Sequence, residues 1–144
     1  HLSKDNPFIG LQTSAGEVDL ASLITQKDKL VSELRNQKYM DLIYYSNDIV
    51  RKYPKSERFA LVEEIKHAIY TGLRMLMHAI KTFSVPEKLK YLKELDICLS
   101  LLKVHVRLSY KYQYISNQNY ATWSNIITDI CNMLGGWINS CQKR

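Results

Sequence analysis

The sequence predicts an all-α chain, an antiparallel up-down four-helix bundle with an N-terminal helical or flexible extension. Three observations predict it. Apolar residues recur at three- and four-residue spacing through four segments beyond residue 38. No segment sustains the alternation a strand needs, Tyr112 to Ile115 being too short to support a sheet. The turns between the segments are only a few residues long, so successive helices should run antiparallel. The 144 residues allow one core, and a hydrophobic content of 46% supplies it without metals or cross-links.

Residues 1–36 read as an N-terminal arm and residues 37–144 as the bundle domain. The first 17 collect Ser, Asp, Asn, Pro and Gly, as a flexible arm does. A helix is expected over about 18–35, where Leu20, Leu23, Ile24, Leu30, Val31 and Leu34 repeat behind Asp19, with polar Asn36 to Lys38 interrupting it. The first bundle helix carries Tyr39, Leu42, Ile43, Ile49, Val50 and Tyr53 and stops at Pro54, because a residue before proline is driven out of the helical region. Ser56 is expected to cap the second, whose stripe is Phe59, Val62, Ile65, Ile69, Gly72, Leu76, Ala79, Ile80 and Phe83. Ser84 and Glu87 form a capping box around Pro86 and open the third, with Leu89, Leu92, Leu95, Leu99, Leu102 and Val106 reaching to about Tyr112. Ser116 opens the last, with Tyr120, Trp123, Ile127, Ile130, Leu134, Trp137 and Cys141. Gly135 and Gly136 inside it each cost about 1 kcal/mol relative to Ala. Close approach of another backbone, within the bundle or across a subunit interface beside Trp137, is the expected compensation; a hinge is the alternative.

No hydrophobic run approaches the ~20 residues that span a bilayer, so a soluble protein is expected. The chain starts with His and shows no apolar secretory stretch, which says nothing about export. Cys98, Cys131 and Cys141 are odd in number, and the last two would lie ~15 Å apart along one helix, so free thiols in a reducing cytoplasm are expected. Glu64 and His67 share a helix face, but no second Glu-x-x-His completes a di-metal set. His67 and His78 are ~16 Å apart along a helix, too far to hold one ion. Arg74-x-x-x-His78 is one residue short of the Arg-x4-6-His motif of small helical HEPN-type ribonucleases. Phosphate-binding Gly-rich loops and nucleophile elbows are absent. A non-enzyme with neither cofactor nor metal is the expectation.

Charge says more. Residues 1–49 hold five basic and seven acidic residues, and residues 50–144 hold fifteen and seven. Lys103, Arg107 and Lys111 stack at four-residue spacing in a stretch that has no acid between Asp96 and Asp129, interleaved with Tyr110, Tyr112 and Tyr114. Arg51, Lys52, Lys55 and Arg58 form a second cluster around Pro54, offset by Glu57 alone, and Arg74 is counted with these cations. Such surfaces meet phosphates or acidic partners, although charge rows are also ordinary solvated faces.

The segment Tyr53-Pro54-Lys55-Ser56-Glu57-Arg58-Phe59, the Leu99-x-x-Leu102-Lys103-x-x-x-Arg107 helix, and Met133-Leu134-Gly135-Gly136-Trp137-Ile138 resemble the accessory variability determinant (Avd) proteins of diversity-generating retroelements over about residues 38 to 140. The Asn-Ile-Ala-Glu-Gly segment typical of the related bundle proteins encoded in 23S rRNA intervening sequences is absent after Ile69. The resemblance implies a homopentameric, positively charged barrel of four-helix bundles that binds the element's reverse transcriptase and RNA, or DNA, in support of mutagenic copying, with no membrane role. It implies that Lys103 and Arg107 match the family's paired basic positions, while Lys111 extends the row by position only. Five copies of a +6 chain would carry about +30, a multivalent and salt-sensitive surface.

Overall fold

The structure, a computed structural model, describes Val31 and residues 34–143. The arm and most of the helix expected over 18–35 lie outside the described residues. A π-helical stretch, Leu34–Lys38, runs directly into α1, Tyr39–Val50. The helix is therefore widened where Asn36 to Lys38 were expected to interrupt it, and Leu34 is fully buried. α2 spans Leu61–Lys81, α3 Val85–Lys111 and α4 Asn117–Gln142. Each packs on its neighbours in chain order, and α4 closes the ring against α1, giving the four-helix bundle. Among the described residues there is no strand.

The stripes read from periodicity form the core. Trp123 and Trp137 are its largest side chains, 0% and 2% exposed, and leucines from α1, α2 and α3 pack with them. Two buried hydrogen bonds link the helices, while Tyr53 Oη, His105 Nδ1 and Trp137 Nε1 find no partner among the described residues. Tyr39 Oη donates to the Ile69 carbonyl at 2.6 Å, and Trp123 Nε1 donates to Ser46 Oγ at 2.9 Å. These bonds pin α1 to α2 and to α4, and each would leave a costly orphan if one partner were removed.

Helix ends follow turn chemistry with two corrections. Ser56 does not cap α2: Pro54 leads into a 3-10 turn, Lys55–Glu57, so the helix starts only at Leu61. Its first N–H is served from Glu57, whose Oε1 accepts from Leu61 N at 3.3 Å. Phe59 consequently stays outside the stripe and is 80% exposed. Phe83 is 98% exposed because Thr82 is already extended (φ −95°, ψ 127°), with its hydroxyl donating back to the His78 carbonyl at 2.6 Å. Ser84 does sit at the start of α3 with Pro86 in the first turn, but its side chain makes no capping bond. Ser116 caps α4 as its position predicts, accepting from Asn119 N at 3.0 Å.

The glycine in close approach is Gly72, where an added Cβ would run into Tyr39 Oη and lie 3.1 Å from Leu95 Cδ1. Around Gly135, by contrast, a Cβ meets nothing within 4 Å, and Gly136 is exposed, so the expected contact within the bundle is not made. Opposite stability effects follow. Gly72→Ala should cost about 1–3 kcal/mol or more through overpacking, whereas Gly135→Ala should gain about 1 kcal/mol of helix propensity within one chain; urea denaturation of the two variants at concentrations too low for chains to associate measures both signs.

Burial pushes the Tyr53 hydroxyl up to about 12, against the lowering influence of Ser109, and pushes Tyr39 up as well. A phenol whose folded value is raised contributes stability that is complete below its unfolded value near 10. Helicity followed by circular dichroism should therefore hold to about pH 10 and fall as pH rises toward 12, with Tyr53→Phe weakening that dependence.

Candidate functional site

Lys103, Arg107 and Lys111 all project to solvent from α3. Each step of four advances 40° around a helix and about 6 Å along it, so the row winds rather than standing straight. It begins in the groove with α4. Lys103 lies beside half-buried Cys131, where its ammonium partly opposes the burial that raises the thiol. From there it runs to the end of α3, marked by a chain reversal at Tyr112. In that reversal Tyr114 N donates to the Ser109 carbonyl at 2.9 Å and Gln113 N to the Tyr110 carbonyl at 3.0 Å, the paired bonds of a Schellman turn. Glycine usually holds the left-handed position of such a turn; here it is Gln113, at φ 64°.

The reversal is tied to a remote part of the chain. Tyr114 Oη donates to Glu57 Oε2 at 2.7 Å, and the Tyr53 and Tyr114 rings lie 5.3 Å apart. The bond to Glu57 is the main reason the Tyr114 hydroxyl is raised. This joins the turn after α1 to the turn after α3, so the cations around Pro54 and the far end of the α3 row occupy the same end of the bundle. Tyr112, 55% exposed, stands at that end with its ring 5.8 Å from Tyr114, and Tyr110 stacks on Tyr120 at 4.4 Å.

Arg51, Lys55, Arg58 and Lys66 surround a cleft of about 350 Å³ over Val50, Tyr53 and Val62. Lys66 was not singled out by the sequence reading, because it lies on α2, two turns beyond the cluster it joins. Lys52 is exposed but does not line the cleft. Arg74 is not brought to this site: eight residues beyond Lys66, it lies about 12 Å farther along α2, near His78, whose ring stacks on Tyr91 at 4.8 Å. Asp48 lies 4.0 Å from Arg51, with both side chains largely exposed, a pairing worth little.

A second feature escaped the sequence reading. Ile97, Leu101 and Val104 are 53%, 49% and 46% exposed on the outer face of α3. Their spacing of four and three was legible, but the leucine stripe on the opposite face dominates the helix. Near the end of α4, Trp137 is buried, with the Lys88 ammonium 6.0 Å from its ring center, beside the open surface at Gly135 and Gly136. Among the described residues no three of His, Cys, Asp and Glu gather as a metal site requires, and no helix is long and apolar enough to cross a membrane. Cys98 and Cys141 are buried and Cys131 is half-buried, all free.

Since Gln113 occupies a position glycine tolerates better, Gln113→Gly should raise stability by about 0.5–1 kcal/mol in thermal or urea unfolding.

Comparison with known proteins adds two findings. Mercuric reductases contain similar segments: that of Lysinibacillus sphaericus is 54% identical over 115 residues, covering 76% of this chain and 21% of that protein. Those of Bacillus cereus (63% over 43 residues) and Staphylococcus aureus (57% over 51 residues) cover 30% and 35% of this chain. The chain thus spans about a fifth or less of the length of these curated relatives, 21%, 7% and 9% respectively. Its five glycines, at 10, 16, 72, 135 and 136, form no Gly-x-Gly-x-x-Gly turn, so it carries no dinucleotide fingerprint of its own. A family model described as bAvd-like matches residues 33–141, a span that takes in α1 to α3 and nearly all of α4. With that span and a four-helix bundle of this order, the chain belongs to the bAvd-like family.

Proposed function

We propose that the protein is a non-catalytic accessory of a diversity-generating retroelement, binding the element's reverse transcriptase and template RNA to support mutagenic reverse transcription. One observation carries the reading: cations that lie far apart in sequence, Arg51 to Arg58 and Arg107 to Lys111, share one end of the bundle with exposed tyrosines. That combination suits a polyanion, by charge and by stacking. The outward stripe of Ile97, Leu101 and Val104 adds an apolar surface of the kind used to dock another protein. Family membership supports the retroelement role.

Charge reversal at Lys103 and Arg107 tests the reading. Both side chains are exposed, so helicity and assembly should persist while capture of reverse transcriptase or RNA falls at least tenfold in a pull-down at fixed salt. Unchanged capture would remove these positions from the site. A homopentamer is part of the proposal, with Gly135 and Gly136 giving a neighbouring subunit room to approach. Light scattering should give close to five times the 16.8 kDa chain mass. Gly136→Leu should reduce that mass to a single folded chain, and a pentamer that tolerates leucine would sink this role for the pair.

A further inference from the structure

We propose that the cleft walled by Arg51, Lys55, Arg58 and Lys66 is a phosphate-recognition site of single-nucleotide size, taking the phosphoryl group of a nucleotide unit. The inference rests on the reading that nucleic acid is bound, and it names where and by what chemical unit. Three observations support it. The cations come from different elements: the end of α1, the 3-10 turn, the segment leading to α2, and the second turn of α2. Folding brings them around one hollow whose lining holds no acid, an arrangement of like charges that an entering anion relieves. Of the nearby acids, Asp48 makes only an exposed 4.0 Å pair with Arg51, and Glu57 has one carboxylate oxygen accepting from Leu61 N and the other from Tyr114 Oη.

Size and rigidity point the same way. A volume of about 350 Å³ lies at the small end of ligand sites, enough for a nucleoside monophosphate and too small for a folded partner. The wall is held before any ligand arrives, since Pro54 fixes the turn and Tyr53, 7% exposed, anchors it against Tyr114. Tyr112 stands at the same end, joined to it through Tyr114, and offers a face on which a neighbouring base can stack. A strand threading past the cleft could place one phosphate among the cations and one base on that ring. The shared chemistry is a nucleotide phosphate, whether free or within a strand.

Fluorescence anisotropy with a labelled eight-nucleotide single-stranded RNA, competed by AMP or by inorganic phosphate, distinguishes the sources. The Arg58→Gln/Lys66→Gln double variant should bind the strand at least tenfold more weakly, with the salt slope reduced by about 1.4 for two lost phosphate contacts. Tyr112→Ala should weaken the strand by about 5- to 100-fold while leaving AMP binding unchanged. Arg58, Lys66 and Tyr112 are all exposed, so circular dichroism should match the wild type. Amide shifts on AMP titration confined to residues 51–66 would place a free nucleotide in the same cleft. Wild-type affinity in the double variant overturns the cleft and leaves nucleic-acid binding standing elsewhere; a wild-type chain that binds neither RNA nor reverse transcriptase overturns both.

Discussion

Four helices joined by short turns must bring alternate turns to the same end, and this constraint organises the proposed phosphate-binding surface. The turn after α1 and the turn after α3 meet there, locked by the Tyr114–Glu57 hydrogen bond and the Tyr53–Tyr114 contact. Their partners are 57 and 61 residues apart in the chain, yet between them they bring the Pro54 cations to the end of the α3 row. Glu57 does a second service in this position. It accepts from Tyr114 and from the first N–H of α2, so it ties the Pro54 turn both to the turn after α3 and to the start of the second helix.

α3 is the element under the most competing demands. Its inner face supplies Leu92, Leu95, Leu99, Leu102 and Val106 to the core, its flank carries the cation row, and its outer face presents Ile97, Leu101 and Val104 to solvent. An amphipathic helix needs only one apolar face to fold. Among the described residues the second has no contact to explain it, which is why the proposed assembly has both an electrostatic and an apolar component. The Schellman turn that ends α3 carries the same mark. A non-glycine residue in the left-handed region stores strain at the point that orients Tyr112 and Tyr114.

Periodicity, turn residues and composition determined the all-α class, the four helices, their buried faces and the breaks near Pro54, Ser84 and Ser116. These depend on interactions within a few residues, which the order of the chain displays directly. Tertiary structure decided the rest. It moved the start of α2 from Ser56 to Leu61, left Phe59 and Phe83 in solvent, made Gly72 rather than Gly135 the point of close approach, and drew Lys66 but not Arg74 toward the Pro54 cations. The α2 start and the exposure of Phe59 and Phe83 follow from the 3-10 turn after Pro54 and the extended Thr82, whereas the last two follow from which helix lies beside which, and at what register: Gly72 matters because Tyr39 crosses it to reach the Ile69 carbonyl, thirty residues away in the chain. Local spacing carries no record of such long-range contacts, because they exist only once the apolar faces have closed on one another.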